Sequence, residues 1–378
     1  MSRLPAVSRV RAQVAQGATF VELFFDLVFV YAVTQLTAFL AHDLTWGGLA
    51  KTGLLFWLVW WAWTQFTWTL NLADTEHSLV RVPTLMATAV AFFMAQAVPD
   101  AFGDAGVWFA VSYVVVRMIG LALQVWVIGS DQRMSVTVWS VASQTGLVLV
   151  IIGGFADPDL RVWWWAGAFA ADLLAGALAA RGEWVLDPAH FAERHGLIVI
   201  IALGESLIAA GVASSEAIRD FGFAVTVGSA VIATCALWWT YFGTLHSRLE
   251  EAMQERVGEG LGLFARDVFS YWHALVVAGV IGIAVAFEEA IAHPEESLSI
   301  GASLSLTVGI ALFAGGLGGA AARAGVRSAV LPRLGVAAVA IAVTPMVAAA
   351  QAWVALLGLA GLIVVIDVFD ASRAVLDG

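Results

Sequence analysis

The sequence has a single cysteine and few charged residues. Because Cys235 is the only cysteine, a disulfide framework within the chain is excluded. Cys235 lies within an apolar run, so we expect it to be a small buried hydrophobe. Charged residues make up 12% of the 378 residues, whereas soluble domains contain about 25%. The sequence has no basic patch of the kind that binds nucleic acid, no Ser-His-Asp order and no Gly-rich phosphate loop. It therefore predicts no nucleic-acid partner, no catalytic residue and no cofactor.

Apolar residues dominate what is present. They make up 61% of the chain, the mean hydropathy is +0.88, and apolar runs of about 20 residues, long enough to span a bilayer, recur along it. This pattern predicts an all-α polytopic membrane protein in a lipid bilayer. The twelve predicted transmembrane helices cover about 20–41, 49–72, 79–98, 106–128, 135–155, 161–180, 195–213, 221–245, 266–287, 299–321, 328–349 and 352–369, with a polar loop at 247–260.

Basic residues predict how these helices are oriented. With the N-terminus in the cytoplasm, fourteen arginines fall on the inner side, and only Lys51, Arg161 and Arg219 fall on the outer side. Positive residues concentrate in cytoplasmic loops. We therefore expect a multi-pass protein of the cytoplasmic membrane with both termini in the cytoplasm. The N-terminal arginines resemble a signal peptide, but the apolar segment that follows is too long and too acidic for one.

The chain also divides into two similar halves. Phe20-Val-Glu22 precedes the first helix as Phe191-Ala-Glu193 precedes the seventh, and the tryptophans of the second helix are echoed by Trp238-Trp239 in the eighth. An even number of helices in each half implies parallel repeats. The sequence thus predicts two parallel six-helix repeats, 1–182 and 183–378.

The first helix carries two acidic residues, Glu22 and Asp26, on one face. An ionised side chain in the hydrocarbon core costs at least ~2.5 kcal/mol. One interpretation is that both carboxylates face a hydrated pathway. The alternative is that they pair with Arg11 or Arg194 at the inner end of the helix.

Three further charged residues fall near the middle of predicted helices: Arg117, Asp172 and Glu205. Ionisable residues at this depth are candidates for function. A structural ion pair of Arg117 with Asp172 or Glu205 is the alternative. Two acids and one base at one depth leave a carboxylate that could bind a proton. A glycine, Gly204, beside Glu205 suggests close approach of another backbone.

Two histidines complete the predicted set. His195 lies at the inner end of the seventh helix, and His273 lies in the ninth, where it is either a hydrogen-bonded core residue or part of a proton relay. His190, Glu193 and His195 match no zinc spacing, so no metal site is predicted.

Five segments resemble the low temperature requirement protein A family of bacterial membrane proteins. The similar segments are VELFFDLVFVYAVTQL (21–36), WTLNLADTEH with the following arginine (68–81), HFAERHGLIVIIALGES (190–206), SYWHALVVAGVI (270–281) and AFEEAIAHP (286–294). The resemblance implies a location in the cytoplasmic membrane. Its motifs include Glu22, Asp26, Glu193, His195, Glu205 and His273.

These observations favour a transporter or channel for a small ion or small molecule, with proton coupling as one mechanism. The predicted pathway residues are Glu22, Asp26, Arg117, Asp172, His195, Glu205 and His273. An enzyme acting on a lipid or isoprenoid, and a non-catalytic structural or stress-related membrane protein, are the alternatives. The small-residue faces of the last three predicted helices are compatible with a homodimer.

Overall fold

The computed structural model describes residues 17–127, 132–179, 181–213 and 221–377. Within these ranges every regular element is helical and no β-strand is present, which confirms the all-α fold class. The elements are α1 Phe20–His42, α2 Trp46–Leu70, α3 Ser78–Gln96, a 3-10 turn Val98–Asp100, α4 Gly106–Val127, α5 Arg133–Phe155, α6 Pro158–Ala179, α7 Pro188–Ala213, α8 Phe221–Phe242, α9 Leu245–Gln254, α10 Gly258–Phe264, a π-helical segment Ala265–Trp272, α11 His273–Ala292, α12 Ile300–Ala324, α13 Arg327–Ala342, α14 Thr344–Ala349 and α15 Ala352–Asp377.

Nine helical segments in the described residues are long and apolar enough to cross a membrane. They are Phe20–His42, Ser78–Gln96, Gly106–Val127, Met134–Phe155, Pro158–Ala179, Phe221–Gln254, Gly258–Ala292, Ile300–Ala324 and Ala352–Asp370. The protein is therefore a polytopic helical membrane protein. The number of twelve crossings stays a prediction.

Two predicted elements differ in the structure. The predicted helix over 328–349 is interrupted at Val343, because Pro345 has no N–H to donate to the carbonyl of Ile341. The Thr344 hydroxyl donates to that carbonyl instead, at 2.8 Å. The predicted polar loop at 247–260 contains most of α9 and the start of α10. One face of α9 is buried, with Leu245 and Leu249 on it.

Cys235 is a further correction. It is exposed on α8 rather than buried. A membrane helix can place an apolar residue against lipid instead of against the protein core, so an apolar run does not predict which of its residues are buried.

The chain forms two compact units. The described residues of 17–39, 50–194 and 253–266 make up the first unit, and those of 40–49, 195–252 and 267–377 make up the second. This division does not test the predicted repeats 1–182 and 183–378, which stay a prediction.

Within the first unit, α3 packs on α4, α4 on α5, and α5 on α6. Arg161, in the first turns of α6, is buried and connects the end of α5 with the segment before α4. The last carbonyl groups of a helix lack partners within it. The guanidinium of Arg161 donates to five backbone carbonyls, those of Gly153, Gly154 and Ala156 at the end of α5 and those of Ala101 and Gly103 before α4.

Within the second unit, α11 packs on α12, α12 on α13, and α8 and α13 on α15. The contact of α11 with α12 depends on glycine. A Cβ atom on Gly279 would lie 2.5 Å from the carbonyl oxygen of Gly309, and one on Gly309 would lie 2.7 Å from that of Gly279. These glycines let α11 and α12 approach closely, whereas Gly204 in α7, for which the sequence suggests the approach of another backbone, has no described atom within 4 Å of its built Cβ.

We expect Arg161→Lys to destabilise the protein. A lysine ammonium has three donors on one atom and cannot reach carbonyls that lie in two directions. The free energy of unfolding should fall by about 2 kcal/mol or more, as measured by thermal unfolding in detergent. Arg81→Lys, in an exposed pair with Glu76, is the control and should change little. Equal stability of the two variants would contradict this role for Arg161.

We expect Gly279→Ala to weaken the contact between α11 and α12. The added methyl would clash with backbone of α12, so a lower thermal midpoint should follow. Gly315→Ala in α12 is the matched control, because its nearest neighbour is Ala337 Cβ at 3.9 Å. Helix propensity alone favours alanine over glycine by about 1 kcal/mol. Stabilisation by both substitutions would show that the close contact is not required.

Candidate functional site

Four charged or titratable side chains meet in the first unit. Glu22 and Asp26 come from α1, and His190 and Arg194 come from the first turns of α7. All four are buried, with at most 1% of each residue exposed. The structure therefore brings the two acids of the first helix together with a partner that the sequence analysis considered, Arg194. Arg11, the other partner considered, lies outside the described residues.

Arg194 binds both acids. Its Nε and Nη2 donate to the two carboxylate oxygens of Asp26 at 3.1 and 2.6 Å, and its Nη1 donates to Glu22 Oε1 at 2.7 Å. Bidentate guanidinium–carboxylate pairs are among the strongest hydrogen-bonded contacts in proteins. The i, i+4 spacing of Glu22 and Asp26 presents both carboxylates to one guanidinium.

Glu22 also closes the N-terminus of α1. Its Oε2 accepts from the backbone N–H and the hydroxyl of Thr19, both at 2.9 Å. Thr19 immediately precedes α1 and Glu22 is its third residue, so the Glu22 carboxylate makes the bond to the N-cap N–H that a capping box contains. This role was not predicted, although the Thr-x-x-Glu pattern is a signal for it.

His190 supplies the fourth member of the cluster. Its Nε2 lies 3.1 Å from Glu22 Oε1, and its Nδ1 lies 3.1 Å from the carbonyl oxygen of Asn71. Both neighbours are acceptors, so a doubly protonated imidazolium satisfies both ring nitrogens. In that state His190 and Arg194 balance Glu22 and Asp26, and the cluster carries no net charge.

Aromatic and backbone contacts of α2 support the cluster. Trp63 donates from Nε1 to Asp26 Oδ1 at 2.8 Å, and the Arg194 guanidinium lies 5.9 Å from the Trp63 ring. The Asn71 side chain binds the backbone of Asp187 in both directions, at 2.7 and 3.0 Å. The tryptophan run of α2 is thus a buried packing element, and one of its members orients a carboxylate.

The first unit contains a second ionic group. Arg117 of α4 and Asp172 of α6 are buried, with Arg117 Nη1 3.7 Å from Asp172 Oδ1. Of the pairings considered for Arg117, the structure has the one with Asp172. Arg117 also donates from Nε to Gln65 Oε1 and from Nη1 to the Tyr113 hydroxyl, each at 2.5 Å. Arg117, Trp61 and Tyr113 all lie beside the Asp172 carboxylate, but within the described residues none of them meets it with full hydrogen-bond geometry.

The predicted histidines lie in the second unit. The His273 ring is 5.5 Å from the His195 ring and 5.6 Å from that of Tyr241. His273 Nδ1 lies 2.8 Å from the carbonyl oxygen of Val268, so it carries the proton, and Nε2 accepts from the Tyr241 hydroxyl at 2.8 Å. His273 is thus a neutral, fully bonded core residue. A backbone carbonyl cannot pass a proton on, so this geometry is a poor relay.

Glu205 is buried in α7, also in the second unit. The next residue, Ser206, donates to the carbonyl oxygen of Leu203 at 2.7 Å and lies 3.3 Å from the Thr234 hydroxyl. Glu193, which the resemblance included, is exposed and accepts from the backbone N–H of Ala18 at 2.9 Å. In the described part of the chain, no three His, Cys, Asp or Glu side chains are placed to hold a metal ion.

We expect Asp26→Asn to destabilise the protein strongly. The substitution keeps the side-chain shape but leaves the buried cluster with an uncompensated positive charge. Removing one partner of a buried pair costs about 3–5 kcal/mol. Glu76→Gln, in the exposed pair with Arg81, is the control, because exposed pairs contribute about 0–1 kcal/mol. Thermal unfolding of the two variants in one detergent measures this difference. A similar midpoint for both would contradict a stabilising role for the cluster.

The sequence has relatives among known proteins, although no solved structure matches it. A protein of Rhizobium meliloti (strain 1021), named only as uncharacterized, is 31% identical over 315 residues, which cover 79% of this chain and 76% of the relative. Residues 17–368 match the family described as bacterial low temperature requirement A protein (LtrA). This match spans nearly the whole chain and confirms the resemblance that the motifs indicated. The chain therefore belongs to the LtrA family.

Proposed function

We propose that this LtrA-family protein is a transporter in which Asp172 binds and releases a proton. The observation that carries the proposal is the state of the Asp172 carboxylate. It is buried near the middle of α6, the charged Arg117 is 3.7 Å away, and among the described residues its contacts with Arg117, Trp61 and Tyr113 all fall short of full hydrogen-bond geometry. An ionised group so poorly compensated is costly inside a membrane protein, and such groups mark ion and proton pathways.

The cluster of Glu22, Asp26, His190 and Arg194 supports a different role for the two acids. Arg194 and His190 compensate both carboxylates, so neither is available to bind an ion while these contacts persist. We assign them to holding α1 and the start of α7 together. This observation favours the structural alternative for these two acids, but not for Asp172.

We further propose twelve crossings, arranged as two parallel six-helix repeats with both termini in the cytoplasm. Exposed tryptophans near helix ends, such as Trp46, Trp108, Trp126 and Trp239, support helices that cross the bilayer, because tryptophan is enriched at both membrane interfaces. Three of the counted basic residues, Arg161, Arg194 and Arg333, are buried. When they are left out, the predicted inner side still carries more basic residues than the outer side. Arg3, Arg9 and Arg219 lie outside the described residues.

A homodimer is part of the same proposal. The glycines of α12 already contact Trp272 and Leu334 of their own chain. Gly358 and Gly361 of α15 are instead exposed, with no described atom within 4 Å of their built Cβ positions. A second copy would approach this face most closely.

Flux measurements in reconstituted liposomes test the transport proposal. We expect the wild-type protein to move protons, alone or with a small ion, at a rate that depends on pH. Asp172→Asn should lower this flux by about tenfold or more, equivalent to ~1.4 kcal/mol in the barrier. The matched control is Asp159→Asn, which removes an exposed carboxylate from the first turn of the same helix and should leave the rate unchanged. Unchanged flux and pH dependence in Asp172→Asn would reject the proposal.

A further inference from the structure

The first unit contains a group of buried polar atoms that extends beyond the Arg117–Asp172 pair. Ser143 and Trp139 of α5 belong to it, and both are buried. Among the described residues, Arg117 Nη2, Ser143 Oγ, Trp139 Nε1 and both oxygens of Asp172 make no hydrogen bond of full geometry, although Trp61 and Tyr113 also lie beside the carboxylate. We call Arg117, Trp139, Ser143 and Asp172 the polar group of the first unit.

Packing distances bring this group to one place. The Arg117 guanidinium lies 5.9 Å from the Trp139 ring, and a Cβ atom on Gly146 would lie 2.9 Å from Asp172 Oδ1. Ser143 is one helical turn from Trp139 and one turn from Gly146, on the same face of α5. Its hydroxyl is therefore presented between the Arg117 and Asp172 ends of the group.

The chemistry of these atoms selects their ligand. Arg117 Nη2 and Trp139 Nε1 only donate, the Asp172 oxygens accept, and the Ser143 hydroxyl does both. A metal cation would leave the two donors unmet, and a halide would leave the carboxylate unmet. Water serves both kinds of partner, and buried waters typically make about three hydrogen bonds to such groups. Each polar atom left unmet would cost about 1–3 kcal/mol.

We infer that the first unit encloses a hydrated site, in which water bridges Arg117, Ser143 and Asp172. Gly146 contributes by leaving room for the Asp172 carboxylate. The inference deepens the proposed function and rests on it in one respect, namely that this water delivers the proton to Asp172. In that step an O–H bond of a hydronium ion breaks, an O–H bond forms on the carboxylate, and a water molecule remains.

The groups facing Asp172 make it the proton acceptor of the site. Arg117 and Tyr113, both of α4, are the charged and titratable groups that face it among the described residues. The indole of Trp61 from α2 also lies beside it, and α5 presents Gly146. Neither of these two titrates. Asp172 is thus the one carboxylate among these neighbours.

The single cysteine makes a direct test of hydration practical. Cys235→Ser yields a cysteine-free chain, and Ser143→Cys in that background places a thiol in the proposed site with almost no change in shape. Infrared spectroscopy then follows the S–H stretch as it converts to S–D in heavy water. Val150→Cys is the control, since Val150 is apolar and fully buried in α5 and a thiol there should exchange only through local opening.

We expect the Ser143→Cys thiol to exchange at least about tenfold faster than the Val150→Cys thiol. Equal, slow exchange of both would overturn the hydrated site. If Ser143→Cys does not fold, radiolytic footprinting of the wild-type protein decides the question. Radicals formed from internal water should oxidise Trp139 more than Trp165, which is buried with its Nε1 bonded to the carbonyl oxygen of Val150 at 3.1 Å. Equal, low oxidation of both would also overturn it.

The outcomes for hydration and for flux are separable. A hydrated thiol without proton flux would reject the transport proposal and leave the water site standing. A dry thiol with flux that depends on Asp172 would reject the water site and leave the transport proposal standing.

Discussion

The contact of Arg194 with Glu22 and Asp26 is the constraint that holds α1 and the start of α7 together in the first unit. Two carboxylates on one turn of α1 would be costly in a buried place, and a single guanidinium compensates both. The same acids organise their surroundings, because Glu22 caps α1 through Thr19 and Asp26 accepts from Trp63. Charge, helix capping and packing of α2 therefore depend on one another here.

Three buried arginines serve two purposes in this molecule. Arg194 neutralises acids, and Arg161 satisfies backbone carbonyls at helix ends. Arg333 of α13 does both, because it pairs with Asp370 of α15 at 2.6 Å and donates to the carbonyl oxygen of Thr240 at 3.1 Å. The planar guanidinium has five donors and a permanent charge, so it can both neutralise acids and bind backbone carbonyls. Buried arginines thus connect helices in both units.

The degree of hydrogen bonding separates the two ionic groups of the first unit. The Glu22–Asp26 cluster uses its donors and acceptors almost fully, as expected of a group that fixes helix positions. The Arg117–Asp172 pair is longer, at 3.7 Å, and leaves atoms without hydrogen bonds of full geometry in the described residues. Buried polar groups are normally satisfied, and this difference between the two groups is the basis of the role that we propose for Asp172.

The sequence alone determined the class of the protein and where its costly residues lie. The length of the apolar runs predicts spanning helices because a bilayer has a fixed thickness. The free-energy cost of an ionised side chain in lipid identified Glu22, Asp26, Arg117 and Asp172. The motifs also sufficed to indicate the LtrA family. Tertiary structure decided which of these charges are compensated. Arg194 lies 168 residues from Asp26, and the spacing of residues within one helix contains no information about a partner contributed by another. For the same reason only the packed structure showed that His273 is bonded to Tyr241 and to the carbonyl oxygen of Val268, and that Cys235 is exposed rather than buried.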